Sequence, residues 1–228
     1  MGRVMSDEAM HKGSGMVRSA LVAALAAAGM LALFGMIGVG VVASIASGTA
    51  ERIAENERLA TLRNIHELID EHTYDNDIFN DVTHVTDAQL LGSTDSLPVY
   101  RARREGAPIA LIMTAVAPDG YNGRIKLLIG IDYHATVKGV RVLNHHETPG
   151  LGDGIEVEKS DWIRRFVGKS LSDPVKAKWA VRKDGGTFDQ FTGATITPRA
   201  VVKAVRHALE YYLQHRDQLF AVNPEVAR

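Results

Sequence analysis

The hydrophobic pattern divides the chain into an apolar run, an amphipathic run and a strand-like region. From Ala20 to Ala46 there is no charged residue, and Ser44 is the sole polar side chain. As an α-helix this run would measure about 40 Å at roughly 1.5 Å per residue, against a bilayer hydrocarbon core of roughly 30 Å. It predicts one transmembrane helix with length left over for tilt or overhang. A buried helix of a soluble protein rarely carries so long an uncharged run, and a signal peptide's apolar region spans about 7 to 15 residues. Cleavage near Ala46 or Ala50, where small residues are plentiful, stays open.

Past the apolar run, Ile53, Leu59, Leu62, Ile65 and Ile69 recur at helical spacing within Glu51 to Glu71 and predict a stalk helix. The polar stretch Asp70 to Asp95 reads as loop with short pieces of structure. From Pro98 the pattern changes: Pro98 to Ala102, Pro108 to Ala115, Arg124 to Tyr133 and Thr136 to Leu143 are rich in β-branched and aliphatic residues and are separated by turn signals such as Pro118-Asp119-Gly120. The last two runs are close enough to predict an antiparallel hairpin around His134 and Ala135. A short helical piece over Asp161 to Val167 and one more strand over Trp179 to Arg182 follow. From Pro198 onward Val201, Val202, Val205, Ala208, Leu209, Tyr212 and Leu213 mark one face of a helix. An antiparallel sheet with helices before and after it is an α+β domain. The expected organisation is a tail over 1–19, a transmembrane helix over 20–46, a stalk over 47–75 and a domain over 76–228.

Charge and composition narrow the setting. Arg3, Lys12 and Arg18 precede the span, and acidic Asp7 and Glu8 weigh little in the positive-inside rule, so the N-terminus is expected in the cytoplasm and the domain outside it. The chain has no cysteine, which excludes iron–sulfur clusters, thiolate zinc sites and disulfides as its own features. A formal net charge of −1 leaves no basic footprint for nucleic acid.

Two segments carry candidate chemistry. In Asp189-Gln190-Phe191-Thr192-Gly193-Ala194-Thr195-Ile196-Thr197-Pro198, Thr197-Pro198 is a strong helix start, with Thr197 as the expected cap. Small residues ahead of a helix leave amides free to meet an anion, and Thr195 sets a hydroxyl at that mouth. By local pattern alone such a turn is a cap; an anion site is the sharper alternative. The second segment, His145-His146-Glu147-Thr148-Pro149-Gly150-Leu151-Gly152-Asp153, follows a strand. A metal reading of His-His-Glu is weakened because neighbours in an extended chain point to opposite faces. A tight structural loop and a ligand wall, in which glycines admit a planar ring beside Leu151, Glu147 and Thr148, both stand. Trp162, Trp179 and Phe191 read as core. Arg164, Arg165, Lys169, Lys176 and Lys178 read as a solvated basic face.

Asp189, Thr192, Gly193, Ala194 and Thr195 resemble the Asp-x-x-(Ser/Thr)-Gly-Ala-Thr acceptor motif of flavin-transferase substrates. Joined to Glu147-Thr148-Pro149-Gly150-Leu151-Gly152, they make the chain similar to the FMN-binding domain family of membrane electron-transport subunits. Within it, Tyr74-Asp75-Asn76-Asp77, Tyr100-Arg101-Ala102-Arg103, Ala117-Pro118-Asp119-Gly120-Tyr121, Gly139-Val140-Arg141-Val142-Leu143 and Asp184-Gly185-Gly186 favour the G-subunit branch of Rnf-type ion-translocating complexes. The related C subunits of sodium-translocating NADH:quinone reductases share the two flavin strings and the anchor.

The resemblance implies a covalent FMN joined by a phosphoester to Thr195, which must then lie in a partly exposed turn. Asp189, Thr192, Gly193 and Ala194 would be the acceptor context, and Glu147, Thr148, Leu151 and Gly152 would line the flavin. It further implies a flavin transferase during maturation, a place in the bacterial inner membrane, and membrane, flavin and iron–sulfur subunits as partners. The complex would couple electron exchange between ferredoxin and the nicotinamide pool to ion movement, with this chain as an electron relay. An anchored assembly module without redox work is the alternative from a different class.

Overall fold

The computed structural model describes Val4 to Ala221, with side chains described from Leu25 except at 47, 50, 51 and 53–57. Arg3, the side chains of Asp7, Glu8, Lys12 and Arg18, and the Ile53 side chain lie outside the described residues. Two compact units divide between Leu59 and Ala60.

The first element, α1 (Val4–Leu68), is one α-helix. Its Leu25–Ala46 window has a mean hydropathy of 2.3, long and apolar enough to cross a membrane. Side chains there are exposed, as a lipid-facing helix requires, with Leu31 at 74% and Phe34 at 71%. The helix stops at Leu68, short of the Glu71 expected from periodicity. Asp70 turns the chain by accepting a hydrogen bond from His72 N at 3.0 Å, and a 3-10 turn follows over Glu71–Thr73. A short polar side chain that bonds its own backbone competes with helix continuation.

The second unit is built on five antiparallel strands in sequential order: β1 (Val82–Asp87), β2 (Ser93–Arg104), β3 (Ala107–Gly120), β4 (Gly123–Asp132) and β5 (Val137–Asn144). A second helix, α2 (Ile196–Leu219), packs chiefly on β3. Period-two alternation sends Leu111, Met113, Ala115, Ile125, Leu127 and Ile129 into the core shared with α2. Ala110, Ile112 and Leu128 face the other side, against Ile65, Leu68 and Ile69 from the stalk end. The approach there is close: a Cβ on Gly139 would lie 2.6 Å from Leu68 Cδ2. With both faces covered, the central strands read as near-continuous apolar runs.

Several boundaries differ from the sequence reading. The stretch Asp70 to Asp95 contains β1 and the start of β2. β1 is an edge strand of mostly half-buried polar and β-branched residues, so its identity comes from pairing with β2, not from its own pattern. β3 continues through Pro118-Asp119-Gly120, and the turn falls on Tyr121 and Asn122. Trp179 to Arg182 is not a strand; Val181 makes a single parallel bridge to Phe188, and a 3-10 turn occupies Arg182–Asp184. Asp161–Phe166 is 3-10 helix. On α2 the expected apolar face is buried except for Leu213, which is exposed.

The Tyr-Asp-Asn-Asp and Tyr-Arg-Ala-Arg strings meet at the far end of α2. Asn76 Nδ2 donates to Arg101 O at 2.9 Å, and Asn76 Oδ1 accepts from Arg103 N at 2.7 Å. The Asp81 carboxylate takes Arg101 Nε at 2.5 Å and Arg103 Nε at 2.7 Å. Both guanidinium groups then donate to carbonyls at the helix end, Arg101 to Ala221 O and Arg103 to Phe220 O at 2.7 Å. The C-cap carbonyl of Phe220 and the carbonyl of Ala221 just past the helix are thereby met by positive charge, which favours a helix C-terminus. Arg101 is 2% exposed, and removing one partner from a buried ion pair costs about 3 to 5 kcal/mol. Arg101→Met is expected to lower unfolding stability by about 3 kcal/mol, toward the low end because Asp81 keeps Arg103; urea denaturation followed by circular dichroism measures it.

Candidate functional site

After β5 the backbone folds locally. Leu151 N and Gly152 N both donate to Thr148 O, at 3.1 and 3.0 Å, which closes a tight turn. His145 Nδ1 accepts from Glu147 N at 3.0 Å, and its Nε2 lies 2.6 Å from Glu156 Oε1. His146 is exposed and lines a separate cavity with Arg124 and Asn144. The adjacent imidazoles therefore part company, as neighbours in extended backbone do.

Glu147 is 5% exposed, and both carboxylate oxygens are held. Oε1 accepts from Asn122 N at 3.0 Å, and Oε2 accepts from the Thr197 hydroxyl. Asn122 Nδ2 adds a bond to Thr148 Oγ1 at 3.0 Å, so the β3–β4 turn is tied to the loop twice. Gly152 stands against this arrangement: a Cβ there would sit 2.8 Å from both Glu147 Cβ and Oε2. Only a glycine lets the loop close over the carboxylate.

These contacts correct the expected cap. α2 starts at Ile196, two residues before Pro198, and Thr197 lies inside its first turn at 1% exposure with its hydroxyl committed to Glu147. Thr195 holds the N-cap position with φ −73° and ψ −29°, and its side chain makes no capping hydrogen bond. It is half-buried. Ahead of it Gly193 adopts φ +81°, a conformation that disfavours other residues. Arg199 and Asp184 brace this end of α2 from outside, with Arg199 Nε 2.6 Å from Asp184 Oδ2. The hydrogen bond from Arg199 holds the Asp184 carboxyl below its ordinary pKa.

The loop, the turn and the helix start enclose a cavity of about 210 Å³. Glu147, Thr148, Leu151 and Gly152 line it from the loop, and Gly193, Ala194 and Thr195 from the segment before α2. Tyr121, Ile196 and Thr197 complete it and were not singled out as site residues by the sequence. Tyr121 stood within a family-like string, but only the hairpin brings it here. Asp189 and Thr192 do not line the cavity. Asp189 is gripped by Arg165 Nη1 at 2.7 Å and Arg182 Nε at 2.9 Å, and its carbonyl accepts from Trp162 Nε1 at 2.8 Å. Thr192 is exposed in the turn.

Trp162 and Trp179 are buried, and Phe191 packs on Trp162 with ring centroids 5.3 Å apart, so these aromatics belong to the core. Of the basic cluster, Arg164 pairs with Asp161 and Lys176 with Glu210, while Lys178 donates to Gly185 O.

Thr197→Val keeps the shape and removes the donor to a buried carboxylate, a loss of about 1 to 3 kcal/mol. Thr197→Ser is expected to retain most of that stability, and comparing the urea midpoints of the two variants measures the hydroxyl's share.

Residues 120–210 match the model of the FMN-binding domain, and residues 16–68 match that of the RnfG N-terminal region. The chain is 47% identical over 192 residues to the G subunit of the ion-translocating oxidoreductase complex of Shewanella oneidensis, covering 84% of this chain and 91% of that protein. The corresponding protein of Pseudomonas aeruginosa is 50% identical over 198 residues, 87% of this chain and 92% of its own. That of Vibrio vulnificus is 49% identical over 189 residues, 83% and 89%. With this identity along nearly the full length of its relatives, an FMN-binding domain over the cavity and one apolar helix ahead of it, the chain belongs to the family of G subunits of ion-translocating oxidoreductase complexes.

Proposed function

We propose that the protein carries FMN as a phosphoester on Thr195 and relays electrons through it within an Rnf-type complex. The observation that carries the attachment is the division of work between two threonines. Thr197 is buried and spent on Glu147, whereas Thr195 is partly exposed at the cavity mouth with its hydroxyl uncommitted to the helix.

The residues present fit the group. The first turn of α2 leaves the Ile196 and Thr197 amides without intrahelical partners, a favourable place for a phosphate. Tyr121, Leu151 and Ile196 offer apolar surface to a ring, and the Thr148 hydroxyl offers polar contact. Pockets for whole small ligands typically enclose about 300 to 1,000 Å³, more than the 210 Å³ here. The cavity covers part of a flavin, and a covalent ester supplies the retention that enclosure would otherwise give.

When bound, FMN supplies single-electron exchange; the protein binds and orients it. Glu147 holds the loop against α2, Gly152 permits that contact, and Gly193 shapes the turn that presents Thr195. Asp189, fixed by Arg165 and Arg182, and Thr192, exposed beside Thr195, form the surface that a flavin transferase would meet. The proposed organisation remains a cytoplasmic tail over 1–19, a span over 20–46, a stalk over 47–75 and a periplasmic domain over 76–228, with membrane, flavin and iron–sulfur subunits and lipid as neighbours.

Two measurements test this. Produced with an active flavin transferase, the protein should give a fluorescent flavin band on a denaturing gel, and Thr195→Val should abolish the band while far-ultraviolet circular dichroism stays unchanged. A band surviving in the variant overturns the attachment site, and a dark band from native protein favours the non-redox assembly module. Because the chain has no cysteine, Glu158→Cys creates a single thiol at an exposed position. A membrane-impermeant maleimide should label it in cells whose outer membrane alone has been opened; labelling only after lysis reverses the topology.

A further inference from the structure

Among the described Phe, Tyr and Trp residues of the second unit, Tyr121 alone is mostly exposed, at 65%. Its exposure does not come from a loose loop. It occupies a two-residue turn between β3 and β4, and the next residue, Asn122, is bonded through its amide to Glu147 and through its side chain to Thr148. The turn is therefore held against the same carboxylate that fixes the start of α2, and the Tyr121 ring is presented to the cavity on a rigid support.

The apolar surface around it is concentrated. Leu151 at 48% and Ile196 at 42% are also exposed and line the same cavity, next to the half-buried Thr195. Single exposed apolar residues need no explanation, but three converging on one cavity mark a place for an apolar occupant. The core aromatics Trp162, Trp179 and Phe191 do not line it. A tyrosine brings a broad ring with few torsions to restrain, and offset stacking adds to simple burial.

We propose that Tyr121 is a cofactor-contacting residue: its ring is the platform on which the isoalloxazine of the tethered flavin rests. This assignment depends on the covalent-flavin reading of Thr195. It predicts a spectroscopic signature, because a phenol stacked on a flavin quenches its fluorescence by lending an electron to the excited ring, which returns it without net chemistry. Leucine lacks that donor, phenylalanine keeps the ring but is a poor donor, and tryptophan is a good one.

The experiment compares native protein with Tyr121→Leu, Tyr121→Phe and Tyr121→Trp, each produced with an active flavin transferase, by gel fluorescence and by flavin emission and visible circular dichroism of the folded protein. All four should show equal gel bands. In the folded state Tyr121→Leu should gain flavin emission severalfold, toward that of the unfolded sample, and lose most of the visible dichroism. Tyr121→Phe should keep the dichroism with raised emission, and Tyr121→Trp should stay quenched. Equal emission from the native and leucine proteins overturns the assignment, as does a tryptophan variant as bright as the leucine one. Loss of the gel band from Tyr121→Leu alone also overturns it, because the residue would then act in attachment. A native protein without a band removes the covalent reading itself, and this inference with it.

Discussion

The site depends on one buried carboxylate. Glu147 joins three elements remote in sequence: its own loop, the β3–β4 turn through Asn122 N and α2 through Thr197. A carboxylate taken out of water must find donors or lose several kcal/mol, and each donor here belongs to a different element. Satisfying Glu147 therefore fixes their mutual positions. Gly152 belongs to the same constraint, since any side chain there would collide with the Glu147–Thr197 pair.

α2 is held at both ends by unlike means. Its N-terminus is set by the neutral Thr197 donor and the outer Arg199–Asp184 pair, and its C-terminus by the guanidinium groups of Arg101 and Arg103 on the last carbonyls. Between them Val201, Val205, Ala208 and Leu209 bury against the sheet. A helix pinned along its length presents its first turn as a rigid feature, which is what a site with a shallow cavity needs. The cations meet the negative end of the helix dipole and leave the positive end toward the cavity.

Anchor and site address the same difficulty at different scales. In the proposed arrangement the flavin would lie outside the cytoplasm, where it would be lost by diffusion unless retained, and a cavity of about 210 Å³ would leave part of the ring uncovered. The proposed ester on Thr195 would retain the flavin, and the apolar helix retains the protein at the bilayer. A ring left partly exposed would also suit a carrier that meets partners, because electron exchange requires close approach and not enclosure.

Much of this was legible in the sequence because it is local. Ala20 to Ala46 has the length and lack of charge of a span, β3 and β4 are long apolar runs buried on both faces, and the α2 stripe is periodic. Both flavin strings were visible as strings, and seven of their nine named residues line one cavity. The rest was decided by tertiary contacts. β1 is too polar to declare itself and exists by pairing with β2, while the strand expected at Trp179 finds no ladder to join. Thr197 reads as a cap in any window that excludes Glu147, fifty residues away. Tyr121 acquires a place at the cavity only because Asn122 ties its turn to Glu147 and Thr148. Local pattern determines which elements form, since propensity and burial period lie within a few residues. Which hydroxyl is spent and which is left free was settled by the buried carboxylate, because its donors come from parts of the chain that no local pattern connects.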